Sequence, residues 1–139
     1  MRRTLIALLA VLSMASNAFA RACIDADGNN IFDEPEVFQD LIRGQKTCTE
    51  AVELARACAW EDALDVETVS AAREVCLLDL LMYDKTDVDT TKLLEQMEKA
   101  CDQKYKREKG PFYLSMNEFC RLSALEWIVK FATTEGYMD

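Results

Sequence analysis

Residues 47–58 decide the fold of this chain, and they read Thr47-Cys48-Thr49-Glu50-Ala51-Val52-Glu53-Leu54-Ala55-Arg56-Ala57-Cys58. A threonine followed three residues later by a glutamate is a capping-box pattern, which marks the start of a helix. Side chains at the spacing of one helical face then form an apolar stripe, consisting of Cys48, Ala51, Val52, Ala55, Cys58 and Ala59. Because both cysteines lie on this stripe, the segment predicts a helix that disulfides join to its neighbours.

Helical signals continue on both sides of this segment. The preceding helix ends at Gly44, the third begins near Asp65, and the fourth is entered through residues 87–91 and ends at Gly110-Pro111. The fifth opens with a second capping-box pattern at residues 115–118 and closes near Gly136. The stripes predicted to be buried are Val37, Phe38, Leu41 and Ile42; Val69, Ala72, Cys76, Leu80 and Tyr83; Leu94, Met97, Cys101 and Tyr105; and Cys120, Ala124, Trp127, Ile128 and Phe131. No segment alternates with period two, so we predict an all-α, disulfide-stapled array of about five helices.

The six cysteines are expected to form three disulfides. They are Cys23, Cys48, Cys58, Cys76, Cys101 and Cys120. The sequence alone leaves fifteen possible connectivities. A zinc site is the competing use of cysteine, but the chain has no C-x-x-C motif and no histidine. Cys23 lies ahead of the helices, and a disulfide from it to the bundle would fix the segment that follows.

The N-terminus has the pattern of a secretory signal peptide. Met1-Arg2-Arg3 is positively charged, residues 5–11 are apolar, and Ala18-Phe19-Ala20 is a small-x-small cleavage site. We therefore predict a signal peptide over residues 1–20 and a single mature domain over residues 21–139, either periplasmic or secreted. No later segment is long and apolar enough to span a membrane.

The mature chain is strongly acidic. The full sequence has 16 basic and 25 acidic side chains, and residues 1–20 contain two arginines and no acidic residue. The remaining 119 residues therefore carry 14 basic and 25 acidic side chains, a formal charge of −11. Such a surface disfavours nucleic acid and anionic lipid and favours a cationic protein partner. The exception is a basic run that consists of Lys104, Lys106, Arg107 and Lys109. Such a run is typical of the last turns of a helix, and the alternative is a docking site for an acidic partner.

Residues 25–36 resemble the calcium loop of the EF-hand. They read Asp25-Ala26-Asp27-Gly28-Asn29-Asn30-Ile31-Phe32-Asp33-Glu34-Pro35-Glu36. The motif places side-chain oxygens at positions 1, 3 and 5, a backbone carbonyl at 7, a water-bridging ligand at 9 and a bidentate glutamate at 12. The resemblance implies calcium bound by Asp25, Asp27, Asn29, Ile31, Asp33 and Glu36.

This loop differs from the family pattern in three respects. Asn30 stands at position 6, where the family has glycine, although asparagine tolerates the left-handed backbone that the turn requires. Phe32 stands at position 8, and no entering helix fits between residues 21 and 24. An unpaired loop of this kind is expected to bind calcium weakly, with a dissociation constant on the order of 10⁻⁴ to 10⁻³ M. The alternative is an Asx-rich turn with Asp33 as a helix N-cap and Pro35 in the first turn.

Catalytic signals are weak, and we expect a protein that is not an enzyme. Histidine, the commonest general base, is absent, and the chain lacks nucleophile-elbow, zincin and phosphate-loop motifs. The acidic pairs Glu61/Asp62 and Asp65/Glu67 match the type of residue that glycosidases use. In a chain with 29% charged residues, we interpret these pairs as part of a solvated surface.

Residues 48–120 resemble the lysozyme-inhibitor N-terminal domain family of the LprI type. The matching elements are Cys48-x-x-Ala51, Cys58, Asp62 and Asp65, followed by Cys101, Gly110, Ser115-Met116 and Cys120. The family's tryptophan and arginine ahead of the penultimate cysteine are missing. The resemblance implies an inhibitor of a cationic lysozyme. The sequence thus supports two hypotheses, a calcium-associated binding module and an inhibitor or immunity-type protein.

Overall fold

The structure is a computed structural model that describes residue 23, residues 34–83 and residues 89–135. The described residues form five α-helices and no β-strand. The helices are α1 (Pro35–Arg43), α2 (Cys48–Ala57), α3 (Asp65–Tyr83), α4 (Thr90–Tyr105) and α5 (Pro111–Glu135). The prediction of an all-α array of about five helices is therefore confirmed.

The predicted helix starts of α2 and α4 are confirmed by their hydrogen bonds. At α2, Thr47 Oγ1 accepts from the Glu50 N–H at 3.2 Å and Glu50 Oε2 accepts from the Thr47 N–H at 3.2 Å, which completes the capping box. At α4, Asp89 Oδ1 accepts from the Lys92 N–H at 3.0 Å. Both caps satisfy backbone donors that have no partner within the helix.

The predicted start of α5 at Ser115 is wrong. The helix begins at Pro111, directly after Gly110, whose φ of +108° is a conformation open to glycine. Ser115 is buried inside the helix, and its hydroxyl donates to Asp65 Oδ2 at 2.6 Å instead of capping a terminus. The Ser115 and Glu118 pair therefore matches the capping-box spacing without forming one.

Helix α3 is the central element and packs against α1, α2 and α5, while α4 packs against α5. The core residues include Phe38 and Ile42 of α1, Val52 of α2, Val69 of α3 and Leu125 of α5. Glu98 of α4 also joins the helices, because its carboxylate lies 2.6 Å from Arg73 Nη1 of α3 and 3.6 Å from Arg121 Nη2 of α5.

Three disulfides bind this array together, as predicted, and no cysteine is free. Cys48–Cys76 joins α2 to α3, Cys101–Cys120 joins α4 to α5, and Cys23–Cys58 joins the N-terminal segment to the end of α2. All of these cysteines are buried except Cys120, which is half-buried. The cysteines therefore staple packed helices, and the predicted tie from Cys23 to the bundle is present.

Two of the predicted apolar stripes are wider than the faces that are buried. Phe38 and Ile42 of α1 are fully buried, but Val37 and Leu41 are 42% and 40% exposed. On α5, Ile128 is buried, whereas Trp127 is 51% exposed and stacks on Phe131 with ring centroids 5.6 Å apart. A helix that covers a core from one side buries about one third of its circumference, so residues at the stripe's edge stay in contact with water.

Among the described residues, no helix combines the length and apolarity needed to cross a bilayer.

Candidate metal site and its attachment to the bundle

The candidate calcium loop enters the described part of the structure only at its end. Of the predicted ligands, Asp25, Asp27, Asn29, Ile31 and Asp33 lie outside the described residues. Glu36, the predicted bidentate ligand, is the second residue of α1 and is exposed. The structure thus places the last ligand position at a helix N-terminus, where the macrodipole favours a carboxylate.

The start of α1 bears on the alternative interpretation of this segment. The N-cap residue is Glu34, with φ −134° and ψ 78°, and its side chain makes no capping hydrogen bond. Pro35 lies in the first turn, as predicted, and occupies its first position. The alternative that Asp33 is the N-cap is therefore wrong by one residue.

The other end of the loop is fixed by the Cys23–Cys58 disulfide. Cys23 is 6% exposed and belongs to the core, and its Cα lies 5.6 Å from that of Cys58. Cys58 follows α2 directly and is the C-cap residue of that helix. Cys23 is therefore covalently bonded to a buried residue of the bundle, although the described residues include no helix ahead of the loop.

Residues on both sides of the candidate loop contact the segment that follows α2. Phe38, one turn into α1, packs edge-on against the ring of Trp60, with centroids 5.4 Å apart. Trp60 is two residues beyond Cys58, which holds Cys23. Cys23 and Phe38 of α1 therefore contact neighbouring residues of the same α2–α3 connection.

The rest of the described chain offers no competing metal site. In residue 23 and residues 34–83 and 89–135, no group of three or more cysteine, aspartate and glutamate side chains is placed to hold an ion.

Three carboxylate residues in the described part of the chain, Asp65, Asp79 and Glu126, are buried although the sequence did not predict it, and two of them accept hydrogen bonds from other elements. Asp65, interpreted above as a surface residue, is fully buried and accepts from the Trp60 N–H at 2.9 Å and from the Ser115 hydroxyl. Asp79 is 9% exposed, and its Oδ2 accepts from the Cys48 N–H at 2.8 Å, so it caps α2 from across the bundle. These carboxylates hold the helices together, and their partners lie 5 to 50 residues away in sequence.

The basic run lies where α4 ends. Lys104 is in the last turn of the helix and beside the Tyr105 ring, with Nζ 5.1 Å from the ring centroid, while Lys106 and Arg107 lie in the turn that follows. Cations at a helix C-terminus are stabilised by the exposed carbonyls there.

Comparisons with protein families, curated proteins and solved structures found no match to this chain. The resemblances to the EF-hand loop and to the lysozyme-inhibitor family therefore stay predictions.

Proposed function

We propose that the protein is an exported, non-catalytic binding protein whose residues 25–36 hold one calcium ion. Oxygens would come from the side chains of Asp25, Asp27, Asn29, Asp33 and Glu36 and from the Ile31 carbonyl. The ion would neutralise neighbouring carboxylates and order the loop. Calcium is a hard cation that takes six to eight oxygens, which a loop with alternating oxygen donors can supply.

One observation carries this proposal, namely that the loop is attached to the bundle at both ends. Cys23 is bonded to Cys58, and Glu36 sits in the first turn of α1, whose Phe38 packs on Trp60. A loop whose ends are already close loses less conformational entropy when its ligands converge on an ion. The disulfide thereby supplies the restraint that an EF-hand obtains from its entering helix.

Export is supported by the cysteines. Three disulfides are consistent with an oxidising compartment, such as the periplasm or the extracellular space. Millimolar extracellular calcium would also suit a weak site of this kind. We therefore propose that residues 1–20 are a signal peptide and that the protein works outside the cytoplasm.

Thermal unfolding of the oxidised protein in calcium and in a chelator tests this function. For a dissociation constant of about 10⁻³ to 10⁻⁴ M, 10 mM calcium stabilises the folded state by roughly 1.4 to 2.7 kcal/mol through linkage. The unfolding midpoint should rise by several degrees in the wild type and stay unchanged in the Asp25→Ala/Glu36→Gln variant. An equal rise in the variant would exclude residues 25–36 as the site.

A second candidate function is inhibition of a cationic enzyme such as lysozyme. It is favoured by the acidic charge together with exposed carboxylates on two adjoining helices, Asp40 of α1 and Glu67 and Glu74 of α3. Gln39 donates to Glu67 at 3.0 Å, and Arg43 lies 2.8 Å from Glu74, so these helix faces are adjacent. Only part of this negative charge is offset by Arg43.

A lysozyme lysis assay separates the two functions. An inhibitor that uses the α1 and α3 face should lose potency when Asp40→Lys and Glu67→Lys are combined, and should keep it in Asp25→Ala/Glu36→Gln. Because charge steers association, the loss should appear mainly in the association rate and should shrink at high salt. Undiminished lysis with excess wild-type protein would exclude inhibition of the lysozyme tested.

A further inference from the structure

A groove of about 500 Å³ lies where the end of α2, the end of α4 and the first turns of α5 meet. Its apolar lining includes Phe112, Met116 and Phe119 of α5. Phe112 and Met116 are among the large apolar side chains left exposed, and they are four residues apart on one helical face. The groove is far from the candidate calcium loop in sequence, and no role described above uses its apolar lining.

Two cations from different helices line the same groove, Arg56 of α2 and Lys104 of α4. Arg56 Nη2 lies 2.8 Å from Ser123 Oγ and 3.1 Å from Glu126 Oε2, so the guanidinium is held in one position. Lys104 is exposed beside the Tyr105 ring. An arginine with two polar partners and an exposed lysine beside aromatic rings form an environment suited to a carboxylate with an apolar body.

The lining of this groove has more cations than carboxylates, unlike the chain as a whole. The mature chain carries a formal charge of −11, and the groove is lined by two cations and one carboxylate, Glu61. The dipole of α4 explains the position of Lys104 but of no other residue in the groove. The ion pair with Glu126 explains the position of Arg56. Neither accounts for the exposed Phe112 and Met116 between these charges. A ligand that is both apolar and anionic accounts for all four side chains.

We propose that this groove binds a small amphipathic carboxylate, with its carboxylate between Arg56 and Lys104 and its alkyl or aromatic body on Phe112, Met116 and Phe119. The volume is within the range of about 300 to 1,000 Å³ that is typical of small-molecule sites. Methionine adapts its shape to varied apolar ligands, which suits a family of such molecules rather than a single one.

Calorimetric titration of dodecanoate into the oxidised protein, below the concentration at which dodecanoate forms micelles, tests the proposal. One site is expected, with dodecylammonium binding more weakly because it carries the opposite charge. Lys104→Gln should weaken binding by about three- to fivefold, as an exposed charge pair does. Lys99→Gln removes another exposed lysine of α4, outside the groove, and should leave binding unchanged.

A second pair of variants tests the apolar lining. Met116→Glu places a carboxylate in the groove and should weaken dodecanoate binding by more than about tenfold, because like charges then meet at short range. Met82→Glu makes the same change at an exposed methionine of α3 and should have no effect. Glu61→Gln removes the opposing charge and should tighten binding by about two- to threefold.

Any of three results would overturn the proposal. One is the absence of dodecanoate binding while circular dichroism shows the protein folded. The other is equal binding by the Met116→Glu and Met82→Glu variants, which would place the ligand elsewhere. Binding of dodecylammonium as tight as that of dodecanoate would likewise exclude an anion site, and none of these results would bear on calcium.

Discussion

The buried Asp65 carboxylate gives the sharpest prediction about stability. It is fully buried at the start of α3 and accepts two hydrogen bonds, one from the Trp60 N–H in the α2–α3 connection and one from the Ser115 hydroxyl of α5. The residue thereby joins three elements. Replacing Asp65 by alanine removes the acceptor that the Trp60 N–H and the Ser115 hydroxyl share.

The cost follows from those two donors. A buried donor left without its acceptor costs about 1 to 3 kcal/mol, and bonds to a charged group lie at the upper end. Removing a buried charge offsets part of this cost, because the carboxylate no longer has to be desolvated on folding. We therefore expect Asp65→Ala to lower the free energy of unfolding by about 3 kcal/mol, and Asp65→Asn, which keeps one acceptor oxygen, by about half as much.

Urea denaturation of the oxidised protein measures this difference from the midpoint at constant m-value. A double-mutant cycle isolates the Ser115 bond, since Ser115→Ala should destabilise the wild type but restore about 1 kcal/mol to Asp65→Ala by removing one orphaned donor. Glu53→Ala, at an exposed position of α2, is the control and should change stability by no more than about 0.5 kcal/mol. A loss below about 1 kcal/mol for Asp65→Ala, or strict additivity in the cycle, would refute the reasoning.

Three further predictions concern stability. Replacing Cys101 and Cys120 by alanine should cost about 3 kcal/mol in chemical denaturation, because that disulfide closes a loop with a sequence separation of 19; no change in midpoint would contradict this estimate. Glu61 has a φ of +58°, so Glu61→Gly should raise the unfolding midpoint by relieving roughly 1 kcal/mol of backbone strain. A lower midpoint would show that the Glu61 side chain stabilises the fold by more than this strain costs. Phe38→Ala should cost about 3 to 5 kcal/mol and Val37→Ala less than about 0.5, and similar losses at both positions would mean that α1 is docked differently.

Local patterns predicted the helices because helix signals are carried by neighbouring residues. The Thr47 and Glu50 capping box and the Gly44 stop are present where the sequence places them. The export prediction and the even cysteine count gave the number of disulfides, but connectivity depends on which helices pack together. The paired cysteines are 19 to 35 residues apart, so local patterns do not show which of them meet.

The errors arise where tertiary contacts override local chemistry. Ser115 has the spacing of a cap, yet it pairs with Asp65, which lies 50 residues away. Asp65 looks like one more surface acid until both of its partners are known. Trp127 belongs to the apolar stripe of α5 by spacing, but it is exposed because the neighbouring helices cover only part of that helix. Residues 25–33 of the candidate calcium loop lie outside the described residues, so their geometry stays a prediction.

Calorimetric titration of calcium into the oxidised protein tests the central claim most directly. The informative comparison is Glu36→Gln with Glu34→Gln, because both remove one exposed carboxylate at the start of α1 but only Glu36 stands at a ligand position. We predict one site in the wild type and in Glu34→Gln, with a dissociation constant on the order of 10⁻⁴ to 10⁻³ M, and loss of that site in Glu36→Gln. Absence of binding heat up to several millimolar calcium, or equal binding by the two variants, would contradict the account.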